Sequence, residues 1–204
     1  MKTILKLLVI SIGLNAMSCT DRTAREVYTP QLPPITQTGA NTFGAIINGK
    51  VMIPRNSIGY IPPGNSHYAV RYYTSSNYEE IQASDAKDGT GNIYIYIEKQ
   101  SNSPEFITGN FIFQDSNGSS ESFFAKGIMM TVYLKNNTSP FNKYLSLANT
   151  GSITITRNDS NVISGTFSCK LKNKDNPEDI IEVKDGRFDF NKQTINTTNF
   201  PYFP

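Results

Sequence analysis

Ile93, Ile95 and Ile97 alternate with Tyr94 and Tyr96, and Ile153 and Ile155 alternate with Thr154 and Thr156. A period of two sends successive side chains to opposite faces, so each run reads as a strand with one apolar and one polar or aromatic face. Such strands must lay their apolar faces on one another to leave water. Further β-rich runs are Tyr68 to Tyr73, Phe106 to Phe113, Phe123 to Leu134, Val162 to Leu171 and Ile180 to Phe190. Near the start, Phe43 to Ile47 and Lys50 to Ile53 flank Asn48-Gly49, a dipeptide that tolerates positive φ at both central turn positions and so specifies a tight hairpin. Asp88-Gly89, Asn117-Gly118, Asn158 to Asn161 and Lys172 to Glu178 supply further turn chemistry. No stretch has convincing helical periodicity. The expectation is an all-β domain, an antiparallel β-sandwich of about 8–10 strands, with a lipocalin-like β-barrel as the alternative.

The N-terminus carries a different signal. Lys2 and Lys6 precede the apolar run Leu7 to Leu14, and small residues lead into Cys19, the layout of a secretory signal peptide. At roughly ten apolar residues the run is too short to cross ~30 Å of hydrocarbon. Ala16-Met17-Ser18-Cys19 resembles a bacterial lipobox, in which diacylglycerol is attached to the cysteine thiol. Ala16-x-Ser18 also fits an ordinary signal peptidase, which would cut the same bond. From Thr20 to about Asn41 the chain is polar and holds Pro30, Pro33 and Pro34; extended at ~3.1 Å per residue, it reaches roughly 60–70 Å. The expected organisation is therefore a signal peptide at 1–18, a lipidated tether at 19–41 and one domain at 42–204. The expected location is the cell envelope, as an outer-membrane lipoprotein facing the periplasm or the surface.

Charge narrows the partners. Lys+Arg number 19 and Asp+Glu 17, and loss of Lys2 and Lys6 with the signal leaves 17 of each. A neutral mature chain exerts no general pull on nucleic acid, so the membrane enters through lipid on Cys19. With Cys19 acylated, Cys169 has no intramolecular partner, and its setting in Thr166 to Leu171 reads as a small buried core residue.

Catalytic signatures are sparse. A lone histidine, His67, provides neither a His-based metal site nor a serine-hydrolase base, and no Gly-x-Ser-x-Gly elbow or phosphate-binding glycine loop occurs. Glycoside hydrolysis needs only two carboxylates across a bond, for which Glu79, Glu80, Asp185 and Asp189 are candidates. Asp185-Gly186 reads more simply as a turn or bulge, and Asp189, between Phe188 and Phe190, as an outward strand position. Asp175, Glu178 and Asp179 form an acidic loop, interspersed with Lys172 and Lys174, that reads as a solvated turn rather than a Ca²⁺ site. No cofactor or metal is expected.

Aromatic content gives the remaining functional signal. Among 11 Tyr and 12 Phe, Tyr94 and Tyr96 project opposite the isoleucines, and Tyr72 and Tyr73 end another strand beside Arg71. On an open sheet face these four tyrosines would form a stacking platform for glycan or peptide, with hydroxyls for hydrogen bonding. The function expected is a non-catalytic binding or interaction module of the envelope, whose partner is a glycan, a peptide or an envelope protein. The alternatives are a glycoside-acting enzyme with paired carboxylates and a carrier of a small hydrophobic ligand.

Leu32-Pro33-Pro34, the run Thr36 to Gly44 and Asn48-Gly49-Lys50 resemble the opening of an uncharacterised lipoprotein family of Bacteroidota, of flavobacterial type. Gly151 to Thr156, Ile163 to Phe167 and Asp185 to Asp189 resemble its C-terminal hairpins, while residues 55 to 150 match in strand rhythm alone. Ala45 departs from the family, in which cysteine is common at that position. The resemblance implies an envelope location and a β fold, and no activity.

Overall fold

The computed structural model describes residues 29–59, 67–85, 91–99, 107–116, 127–135 and 141–200. The signal peptide, Cys19, the first part of the tether up to residue 28 and the Asp88-Gly89 and Asn117-Gly118 turns lie outside them.

Eleven strands are described: β1 (Thr42–Ile47), β2 (Lys50–Met52), β3 (Val70–Thr74), β4 (Tyr78–Ser84), β5 (Asn92–Glu98), β6 (Gly109–Ile112), β7 (Ile128–Leu134), β8 (Asn142–Ser146), β9 (Ser152–Asn158), β10 (Val162–Asn173) and β11 (Ile180–Asn191). All pair antiparallel, as the alternation requires, in one sheet curled into a half-barrel. Its main path is β2-β1-β11-β10-β8-β7-β5-β4-β3. The Asn48-Gly49 hairpin forms as expected, with φ of 47° and 78° at the two turn residues.

Two twelve-residue strands, β10 and β11, organise this sheet. On one side β10 pairs with β11; on the other, Ile163 to Ser168 pair with β9 and Leu171 to Asn173 with β8. The sheet therefore forks at β10, one arm ending in β9 and β6 and the other running through β8 to β3. Bending comes from a bulge in β11. Phe167 pairs with Gly186 but Cys169 with Val183, and the β1 register shifts at the same place. Asp185, at φ 49°, is the extra residue, in agreement with the turn-or-bulge reading of Asp185-Gly186. The Phe167 ring covers Gly186 so closely that a Cβ there would lie 2.3 Å from it.

The concave face is one contiguous apolar cluster in which Phe43, Phe113, Phe188, Phe190 and the β5 isoleucines are essentially inaccessible. The curl is fastened where the chain beyond β2 meets the end of β4: the Arg55 amide donates to Ser84 O, and the Arg55 guanidinium grips Asp85 through two hydrogen bonds of 2.8 and 2.7 Å.

Asp189 corrects two expectations. It is 1% exposed rather than outward-facing. Its carboxylate accepts hydrogen bonds from the hydroxyls of Thr36 (2.6 Å) and Thr38 (3.3 Å) and the amides of Thr38 (3.0 Å), Gly39 (2.8 Å) and Ala40 (3.2 Å). Burial raises the Asp189 pKa, but these donors outweigh it and hold the carboxyl below its ordinary value. The segment Thr36–Ala40, read by composition as tether, is thus bound to the sheet, and the folded unit begins before Thr42.

Candidate recognition face

β3, β4 and β5 place two side-chain rows on the convex face. Tyr73 on β3 opposes Glu80 on β4, which opposes Tyr96 on β5. Arg71 likewise opposes Gln82, which opposes Tyr94. Directly opposed Cβ atoms are about 4.5–5.5 Å apart, so each row is a continuous surface rather than separate side chains. Tyr78 joins the rings: its centroid lies 5.5 Å from Tyr73 and 5.4 Å from Tyr96, stacked on the latter with planes 26° apart. Met129, which opposes Tyr96 on β7, packs beside it, and Tyr78 and Tyr94 flank the pair.

Two of the expected platform residues, Tyr94 and Tyr96, are on this face for the reason their alternation with isoleucine predicts. Tyr73 is also on it and is 54% exposed. Tyr72 is not. It is 4% exposed, its ring lies inside against Phe190 at 6.4 Å, and only its strand borders the groove. Consecutive strand residues face opposite ways, so Tyr72 and Tyr73 were never able to share a platform.

The face is hollowed. A groove of about 560 Å³ is lined by Arg71, Tyr73, Tyr78, Glu80, Gln82 and Tyr94, with Asn196 at its rim. A second hollow, about 390 Å³, shares Gln82 and Tyr94 and continues to Tyr133 and Phe141, which is 51% exposed. Burial pushes the Tyr94 hydroxyl pKa up, and the Glu80 carboxylate that accepts its hydrogen bond raises it further. Burial likewise raises that of Tyr96, helped by Glu98 and Glu80. Both hydroxyls therefore stay protonated well above neutral pH, that of Tyr94 donating to Glu80.

Sequence reasoning missed β4 and with it Tyr78, Glu80 as a groove wall, and Gln82. Its alternation was present, with Glu79, Ile81 and Ala83 on one side and Tyr78, Glu80 and Gln82 on the other. A glutamate at the head of the inward set disguised the apolar face. Glu79 is 0% exposed, paired with Lys99 at 3.2 Å and receiving Asn158 Nδ2 at 3.3 Å.

The candidate carboxylates take separate places in the sheet, with Asp185 at the β11 bulge. Glu79 is inside and Glu80 outside, and both oxygens of Asp189 are engaged by the Thr36–Ala40 segment. Of the other candidates, Cys169 is buried in β10, with its thiol pKa raised by burial. His67 precedes β3 with its ring against Tyr68. Asp179 accepts from Tyr144 Oη at 2.8 Å and Asn173 Nδ2 at 2.9 Å, making it a brace between loop and sheet.

Comparison with protein-family models, with curated proteins and with solved structures gave no match. What fold and face define is a class: a single-sheet β protein with a tyrosine-lined groove on its convex side.

Proposed function

We propose that the chain is a lipid-anchored protein of the cell envelope, held in the outer membrane through Cys19, and that it is a non-catalytic module that recognises its partner with the convex face of β3, β4 and β5. The observation that carries this reading is the tyrosine-lined groove itself. Tyr73, Tyr78 and Tyr94 line a rigid aromatic surface, with Tyr96 buried against Tyr78 in support, and Arg71, Glu80 and Gln82 supply directional polar contacts beside it. Neither alternative function draws the same support, because the concave face is filled by packed apolar side chains, Glu79 and Glu80 point to opposite faces of β4, and Asp189 is held by the Thr36–Ala40 segment.

The anchoring half is tested by protease treatment of intact cells carrying the native chain or Cys19→Ser. The native chain is expected in the membrane fraction and Cys19→Ser in the soluble one; identical fractionation would contradict lipidation. Cutting by external protease assigns the protein to the surface, and protection assigns it to the periplasm. The recognition half is tested by adsorption to isolated envelope: Tyr73→Ala with Tyr94→Ala should abolish retention of the soluble domain, and unchanged retention would contradict the reading.

A further inference from the structure

We infer that the convex groove takes a neutral, hydroxyl-rich oligosaccharide laid across the strands from β3 to β7. The inference rests on the reading of the tyrosine face as a recognition surface and assigns the chemistry of its ligand.

Three observations carry it. The first is charge. The groove wall carries one cation, Arg71, and one anion, Glu80, on adjacent strands and in adjacent rows, and no ion pair joins them. The electrostatic complement of such a surface has no net charge but many dipoles. A phosphate or carboxylate ligand would gain Arg71 and be repelled by Glu80, and a cation would meet the reverse.

The second is hydrogen-bonding shape. Neither the Arg71 guanidinium nor the Gln82 amide has a protein hydrogen-bond partner among the described residues, and the two oppose each other across β3 and β4. Guanidinium, amide and carboxylate groups are planar and present two donors, a donor and an acceptor, or two acceptors side by side. Adjacent hydroxyls on a sugar ring match all three patterns, since each hydroxyl both donates and accepts. Tyr73 and Tyr78 supply the aromatic surface against which the C–H face of a pyranose packs.

The third is extent. The two hollows share Gln82 and Tyr94, so the path runs from Tyr73 on β3 to Tyr133 on β7. Three strand spacings amount to ~14 Å, the reach of a short oligosaccharide rather than a single ring. An extended peptide is disfavoured on two grounds. The β3 edge, where it would add as a strand, is closed at Tyr72 by Asn196, whose side chain bonds both the Tyr72 amide (2.7 Å) and its carbonyl (2.8 Å). The groove also offers mixed polar and aromatic walls in place of alternating apolar pockets.

The test is calorimetric titration of the soluble domain with neutral linear hexasaccharides of glucose, mannose, xylose, galactose and N-acetylglucosamine, alongside a mixture of unstructured decapeptides. Arg71→Ala and Gln82→Ala are exposed changes that leave the core intact, with unchanged circular dichroism as the control. At least one hexasaccharide is expected to bind, with each variant weakening it about tenfold and the pair more, as the loss of charged and amide hydrogen bonds implies. Absence of binding across the sugars, or binding indifferent to both substitutions, overturns the assignment. Decapeptide binding that disappears with Tyr73→Ala, without sugar binding, would overturn the glycan while leaving the recognition face standing. Neither ligand binding would overturn the glycan and remove support for the face.

Discussion

Tyr78 on β4 stacks on Tyr96 of β5 with ring centroids 5.4 Å apart, and its ring lies 5.5 Å from that of the exposed Tyr73. The aromatic surface is therefore braced by its neighbours on the same face, Tyr96 and Met129. It is presented by three hydrogen-bonded strands and needs little ordering on contact.

The Tyr94 environment has a pH consequence. Its folded pKa is raised, first by burial and then by Glu80, so its protonated form contributes stability in full below the ordinary tyrosine value of about 10 and loses it as pH rises above. Ultraviolet titration of phenolate should show Tyr94→Phe removing a group that ionises well above that value. Glu80→Gln should lower the Tyr94 midpoint, and a midpoint unmoved by Glu80→Gln would contradict the assigned contact.

Asp189 behaves oppositely. Burial raises its pKa, but the donors of Thr36 to Ala40 lower it by more, so its contribution is present above the unfolded carboxylate value of about 3.9 and disappears as pH falls through the lower folded value. Asp189→Asn should cost about 2–3 kcal/mol in urea unfolding at neutral pH, because several donors lose a charged acceptor. It should also make the chain near Thr36 sensitive to protease. A loss of less than half that cost, with no new cleavage, would contradict the latch.

The interior ion pair of Glu79 and Lys99 should show strong asymmetry. Lys99→Met leaves a fully buried carboxylate without its cation and should destabilise by about 3–5 kcal/mol, whereas Lys99→Met with Glu79→Leu should recover most of that loss. Chemical unfolding of the two variants measures the difference; equal losses would mean that the pair is not coupled.

Much of this architecture was legible before any coordinates. The β5 and β9 alternations place their isoleucines inside, Asn48-Gly49 turns with two positive φ values, and Asp185-Gly186 is a bulge. The misses share a cause, namely polar residues used inside the fold. Glu79 hid the inward face of β4, and Asp189 looked solvent-facing because its donors come from a segment some 150 positions earlier in the chain. Local pattern cannot show such distant partners. Of the platform, Tyr73, Tyr94 and Tyr96 were readable from strand direction, Tyr72 was assigned against its own neighbour's parity, and Tyr78 became visible only with β4.

The most direct test of the recognition face is nuclear magnetic resonance of the soluble domain carrying ring-labelled tyrosine, titrated with solubilised envelope. Shifts are predicted at Tyr73, Tyr78 and Tyr94, with Tyr72 and Tyr144 unmoved in the core. Shifts absent from those three rings, or confined to other parts of the molecule, would contradict the account.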